Sequence, residues 1–555
     1  MANSFAAANS LPRNSEHAAP VVPGIKRSYH ISLENGKLIH RDQMLDASGK
    51  EIYSQQFAMD FVVGSGRRAH AWLRQEGSLL FQSPINWYSE ESHWDVAPGY
   101  KPDDPRRFRR RVTDDCISCH AGRPSLQQEP LDTAASHPAG RLPHRYDNPA
   151  FHETGIGCER CHGPGLDHVN WHRQKNSTHA SPQTGSQDPI VNPAELAPQL
   201  RESVCNQCHL AGSARIVRFG RTEFDFRPGR DFDEFWTILH AGSEVAEDGT
   251  TKAVNHVQQM HESRCFQNSS GKLGCISCHD PHSVPSPSAA PAFYRQKCLN
   301  CHNAESCSET PASREPLQDS CIACHMPNRG SKNIAHVTQT DHRVIRRSQP
   351  ESPSAPSAST TIQLQFFGNA RKTLPDWEQQ RAMAAALWAV LAKKGLTAPP
   401  ELGRFLENVL QTQPTDGLSL TTLAALEARY NRSAAAKTHY QQALNDPLSH
   451  EAALAALLDL AYRAALWNDA QRLARQLLEL DPGHPGCLAV LADCLWNLQR
   501  QNEALDVAQQ SLDKDPSQIE VRRWLINALR KVGRSSEAQA QEQILKRMES
   551  AGVQK

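Results

Sequence analysis

The pattern Cys-x-x-Cys-His occurs six times between Cys116 and His325. The copies are Cys116, Cys119 and His120; Cys158, Cys161 and His162; Cys205, Cys208 and His209; Cys275, Cys278 and His279; Cys298, Cys301 and His302; and Cys321, Cys324 and His325. Two thiols at this spacing can each add to a porphyrin vinyl group, and the adjoining imidazole can then bind the iron. Each copy therefore reads as a covalent c-type haem site, and six haem c groups are expected. Cys-x-x-Cys also suits zinc or thiol exchange, but zinc does not ask for a His directly after every second Cys. The last two intervals, from Cys275 to Cys298 and from Cys298 to Cys321, are too short for a separate domain around each haem. The porphyrins are expected to pack side by side and share walls, as electron transfer requires.

A low-spin iron takes a second strong axial ligand, commonly His or Met. Of the 26 His, 6 are in the motifs, which leaves a surplus for the distal positions. The best placed are His168 (CHGPGLDH), His256 with His261 as a competitor, His282 (CHDPH), His336 and His342 (HVTQTDH). A sixth would come from His30, His70, His144, His152 or His240. Met326 directly follows a proximal His, so it is expected to pack against a ring rather than reach its own iron. A haem with an open distal face would change the function, giving an oxidoreductase that acts on a small nitrogen or sulfur species. Outside the motifs, Cys265 and Cys307 read as a disulfide or as two free thiols, and Cys487 and Cys494 as small buried residues.

Lys plus Arg and Asp plus Glu balance at 60 each over 555 residues, so no global charge points to nucleic acid. The run RRFRRR at 106–111 is the densest positive patch. It reads equally as a site for an acidic partner or haem propionates and as a solvated loop. Covalent haem attachment takes place on the oxidising side of the bacterial membrane, which implies a periplasmic or extracytoplasmic protein. The opening MANSFAAANSLPRN nevertheless lacks the charged and apolar regions of an export signal. No apolar run is long enough to span a membrane.

The scaffold these residues need reads as a mixed fold. Residues 1–25 form a disordered or truncated lead, and 26–111 a β-rich N-terminal part of the cytochrome module. Its strands alternate between turn signals at Asn35-Gly36, Ser48-Gly49 and the GSG at 64–66. Residues 112–345 form a loop-rich multihaem domain, and 346–360 a Pro/Ser linker. The last part, 361–555, reads as an all-α tetratricopeptide solenoid. There Leu423, Leu457, Leu491 and Leu525 keep one spacing, as do Ala436, Ala470, Ala504 and Ala538, while Asp-Pro recurs at 446, 481 and 515. A 34-residue helix–turn–helix period is the tetratricopeptide signature, and about four repeats are expected over 417–550. Such a solenoid would offer a groove for a protein or peptide partner.

The stretches GIGCERCHGPGLDHV, VNPAEL, VCNQCHLAG, RFGRTEFDFRPG, LGCISCHDPH, CIACHMP and HVTQTDHRV resemble the multihaem cytochromes c that join a cytochrome c-554-like region to C-terminal tetratricopeptides. FVVGSG, SPINWY and WDVAPGY carry the resemblance into the N-terminal part. It implies mostly bis-His haems in stacked and perpendicular pairs, and electron transfer to a redox partner protein at a haem edge. By the same resemblance His168 is a distal ligand to a neighbouring haem, and His256, His282, His336 and His342 stand at ligand positions. Family members usually carry an export signal and a further Cys-x-x-Cys-His before a segment like MANSF. Met1 is therefore expected to be a misassigned start. A stop codon close upstream, with no further motif, would sink that expectation.

Overall fold

A computed structural model describes residues 5–9, 27–101, 104, 106–127, 141–175, 187–241, 250–346 and 363–551. The chain forms two compact units, one of Phe5–Ile117, Pro124–Thr154 and Pro375–Lys555, the other of Met1–Ser4, Ser118–Arg123 and Gly155–Leu374. The β-rich part thus shares a unit with the C-terminal helices, although a long stretch of chain lies between them.

In that first unit, strand β1 (Phe5–Ala7) pairs with β5 (Phe61–Val63), so these residues of the expected lead form a strand and Phe5 is buried. Strands β2 (Arg27–Glu34), β3 (Lys37–Leu45) and β4 (Glu51–Met59) form an antiparallel meander. Asn35 and Gly36 turn β2 into β3 with φ of 50° and 75°. Two consecutive positive φ values define the hairpin turn that matches strand twist, which is why Asn-Gly stands there. Alternation along β3 buries Leu38, His40, Asp42 and Met44 on one face. A second sheet holds β5, β6 (Ala69–Glu76), β7 (Leu79–Gln82), β8 (Ile85–Tyr88), β9 (His93–Val96) and β10 (Arg110–Arg111). Trp72, Trp87, Trp94, Leu38, Met59, Ile85 and Phe108 make the core of the β part.

The helical part contains four pairs over Gly417–Ser550, and each begins one repeat: Gly417–Arg429 with Ser433–Ala443, His450–Arg463 with Trp467–Leu480, Pro485–Asn497 with Gln501–Lys514, and Ile519–Lys531 with Ser535–Ser550. Another pair, Asp376–Lys394 with Glu401–Thr412, packs ahead of them. The four repeat Ala are essentially inaccessible to solvent, and the four repeat Leu are buried with them. Ala sits where helices cross closely, because a larger side chain would push the axes apart. The stack is a tetratricopeptide-like solenoid. Its last helix is covered by the meander: Met548 and Ala551 pack on Met44 and Tyr53, shielding an end that would otherwise expose an apolar repeat face.

The basic run joins the two parts. Arg107 donates through Nε to Asp42 at 2.7 Å and through a terminal nitrogen to Asp515 at 2.7 Å. Arg109 pairs with Glu76 and Asp481, and Arg111 with Glu451. Asp481 and Asp515 are the repeated Asp-Pro residues, and Glu451 lies in the first turn of a repeat. Alternate arginines thus address successive repeats along the edge where the inter-repeat turns line up. This corrects both expectations for the run: three of its arginines are committed inside the unit rather than solvated or open to a partner.

The second unit is built of short helices and small sheets. Ala214–Val217 pairs with Trp236–His240, which pairs with Gln365–Phe366, so residues just beyond the linker belong here rather than with the solenoid. The linker itself lies largely outside the described residues. Phe226, Phe232, Phe235, Trp236, Ile238, Leu210 and Val257 form the local core, and the Arg215 guanidinium lies over Trp236 at 4.1 Å. Among the described residues no helix is long and apolar enough to cross a membrane.

Candidate functional site

The Cys-x-x-Cys-His segments lie on or at the ends of helices: Asp114–His120, Glu159–His162, Pro198–His209, Cys275–Cys278, Ala290–Leu299 and Cys321–His325. Residues three apart on a helical turn share a face, so each segment presents both sulfurs together with the imidazole beside them.

Sulfurs of different segments meet. Cys208 hydrogen-bonds Cys119, Cys205 hydrogen-bonds Cys275, and Cys298 hydrogen-bonds Cys321. Cys161 lies within electrostatic range of Cys205, and Cys278 of Cys298. The hydrogen bond from Cys208 is the main cause that pulls the Cys119 thiol down to about 5; burial opposes it and Arg215 assists. The third segment, through Cys205 and Cys208, thus neighbours the first, second and fourth, and the fifth neighbours the fourth and sixth.

The imidazoles come together in two groups. His162 and His282 have ring centres 6.0 Å apart with planes 11° from parallel. In the other group His209 stands 5.8 Å from His256, His256 stands 4.8 Å from His342, and His342 stands 6.2 Å from His279. Two imidazoles sharing one metal through bonds of about 2 Å stand roughly 6 Å apart, centre to centre. Three of the contacts, each joining a motif His to a His singled out as a distal ligand, fall at that spacing. Burial lowers the His256 pKa to about 3, and the charges that His342, His209 and His279 would carry add to the effect. Burial likewise lowers His342. Both rings are therefore neutral near pH 7, with a lone pair available for a metal.

Ring orientation is fixed from behind. Nδ1 of His162 bonds the carbonyl of Val191 at 2.8 Å, Nδ1 of His325 that of Ile345 at 2.7 Å, and Nδ1 of His342 that of Thr340 at 2.8 Å. A carbonyl only accepts, so each Nδ1 carries a proton, and in the neutral ring it is Nε2 that holds the lone pair. Paired thiols, an Nε2 beside them and a second imidazole opposite are the donor set that a covalently held haem would need.

The other expected ligands are placed differently. His120 is exposed at the end of its helix, and His302 is exposed beside Cys301. His336 sits at a left-handed position, φ 57°, between Asn328–Gly330 and Thr338–Thr340. His168 stands with His172 and Asp188 instead of with a motif imidazole. Nδ1 of His144 lies 3.3 Å from the Asp114 carboxylate, while His30, His70, His152 and His240 lie on strands. His261 stacks on Phe266, with 4.1 Å between ring centres, and also meets Phe367. Cys265 and Cys307 are both free thiols. Asp188 and the backbone carbonyls behind His162, His325 and His342 had no signature in the sequence. The carbonyls are common to every residue, and only folding aims them.

No protein-family model matches the chain, and no curated protein does. Solved structures with partial likeness include the MamA RS-1 ArsTM double mutant, at 15% identity and TM-score 0.29 over 31% of this chain and 97% of that one. MamA 41-end from Desulfovibrio magneticus RS-1 gives 14% identity and TM-score 0.29 over 32% and 98%. MamA AMB-1 gives 17% identity and TM-score 0.28 over 31% and 98%.

Proposed function

We propose that the chain is an exported multihaem c-type cytochrome, of the kind its motifs resemble, that carries electrons through closely packed haems. The observation that carries the reading is the pairing of three motif imidazoles with three non-motif imidazoles at about 6 Å, beside motif segments of which five meet sulfur to sulfur. On this reading each bound haem supplies reversible one-electron transfer. The chain does the rest. Its thioethers fix each group at a set place, and its paired imidazoles hold the iron low-spin. The shared sulfur contacts keep neighbouring groups at close range.

The spacings favour His282 as the distal partner of His162, His256 of His209, and His342 of His279. His168 and His336 remain proposed distal ligands by resemblance. The solenoid is proposed to dock a protein partner, using a face other than the turn edge that Arg107, Arg109 and Arg111 fill. The periplasmic location follows from the attachment chemistry.

The test is expression with a haem-maturation system and export. The expected product has six covalent haems per chain, a Soret band and only low-spin ferric signals in electron paramagnetic resonance. Absence of covalent haem refutes the reading. A high-spin signal would instead favour an oxidoreductase with one open distal face.

A further inference from the structure

The helix Leu166–Lys175 carries His168 and His172 one turn apart, so both imidazoles leave the same helix face. Their ring centres are 4.6 Å apart with planes at 74°, and the Trp171 ring meets the His172 ring edge-on at 4.7 Å. Both imidazoles turn toward Asp188: Nδ1 of His168 lies 2.6 Å from Oδ1, and Nε2 of His172 lies 3.0 Å from Oδ2. One donor atom from each of the three residues falls within 4.8 Å of the other two. The segment bearing the carboxylate is anchored from outside the cluster. The Val191 N–H donates to the His162 carbonyl at 3.1 Å, and the Val191 carbonyl bonds Nδ1 of His162 at 2.8 Å.

We infer that His168, His172 and Asp188 form a three-ligand site for a divalent transition ion of the zinc class. Tetrahedral zinc with bonds of about 2.0–2.2 Å holds its ligand atoms roughly 3.3–3.5 Å apart, so the contacts to Asp188 need to open by less than about 1 Å. The His168, His172 and Asp188 side chains are 33%, 47% and 30% exposed, which leaves them room for that adjustment. Two imidazoles with one carboxylate suit zinc and its neighbours, whereas calcium and magnesium take oxygen ligands throughout. Among the described residues no fourth His, Cys, Asp or Glu joins the group, so water fills the fourth position. Structural zinc sites are closed by four protein ligands, and this one stays open to solvent. The inference assigns His168 to an ion other than the haem iron that the resemblance suggests, and it does not rest on the multihaem reading.

The experiment uses the matured full chain, stripped with a chelator, given zinc chloride alone and dialysed. Elemental analysis counts zinc and iron per chain, and calorimetric titration reads the affinity. Asp188→Asn and His172→Gln should each weaken one zinc site by about tenfold or more, because even groups standing behind a ligand are worth that much. Iron content and low-spin haem signals should stay as in wild type. The difference between variant and wild type reads this site alone, whatever zinc the thiols elsewhere hold. If Asp188→Asn fails to fold, His172→Gln, at the more exposed ring, decides. Zinc affinity unchanged in His172→Gln overturns the inference. Affinity unchanged in a folded Asp188→Asn marks a bare surface His pair and overturns it too. So does a His168→Gln protein in which one low-spin haem turns high-spin, since His168 then serves an iron. Absence of covalent haem from wild type refutes the multihaem reading and leaves the zinc comparison to decide this site.

Discussion

Replacing Arg107 by Ala should destabilise the unit formed by the β part and the solenoid more than any surface change of equal size. The Arg107 side chain is 3% exposed, and its partners Asp42 and Asp515 are 0% and 8% exposed. Burial works against the guanidinium charge, but Asp42, Tyr53 and Asp515 outweigh it and raise the Arg107 pKa. Removing the cation strands two carboxylates out of water, a loss of about 3–5 kcal/mol for a broken buried pair. That corresponds to roughly a hundredfold or more in the folded-to-unfolded ratio. Urea unfolding followed by helical circular dichroism reads it as a lower midpoint. Arg475→Ala is the control: its ion pair with Glu503 is 46% and 39% exposed and should be worth about 1 kcal/mol or less. Higher salt should weaken the Arg475 pair and leave the Arg107 pair nearly unchanged. Replacing Asp42, Arg107 and Asp515 together by Asn, Met and Asn should cost less than Arg107→Ala alone, because no unpaired charge remains. A loss below 1 kcal/mol for Arg107→Ala, or equal losses for Arg107→Ala and Arg475→Ala, would refute the reasoning.

Leu491→Ala, at a repeat position 6% exposed, should lower solenoid stability by about 2–5 kcal/mol, whereas Leu466→Ala, 47% exposed, should change it by about 0.5 kcal/mol or less in the same unfolding assay. Burial opposes the charge on Asp114, yet hydrogen bonds and charge from His144, Arg141 and Tyr146 bring its pKa to about 2, below the ordinary 3.8. Its contribution to stability is present above the unfolded value and should be lost as the pH falls from about 4 through 2; Asp114→Asn should flatten that part of a stability–pH curve. His342→Ala in matured protein should keep the haem count and turn one low-spin ferric signal high-spin. An unchanged spectrum would remove His342 from the ligand set.

Local and periodic signals were legible. The Asn35-Gly36 hairpin needs only two residues that tolerate positive φ, and the solenoid needs only a repeated buried Leu and Ala. The additional pair Asp376–Lys394 and Glu401–Thr412 falls within the all-α part expected from 361, although it lacks the repeated residues in phase. The basic run was misread for a different reason. Arg107 meets Asp515 across 408 residues and Arg111 meets Glu451 across 340, and no pattern near 106–111 names an acid so far away.

The ligand set divides along the same line. Cys-x-x-Cys-His is self-contained, since a single helical turn brings its two sulfurs and imidazole together whatever surrounds it. The sequence alone therefore determined where the paired thiols with their adjoining imidazole lie and which His are spare. Which spare His faces which motif was decided only by tertiary structure: His256 and His342 meet His209 and His279 from separate segments, with Gln259 donating no covalent link but accepting the His342 backbone N–H at 2.8 Å. An imidazole carries no address in its neighbours along the chain. Its partner is fixed by packing and by the carbonyl or carboxylate that folding places behind it.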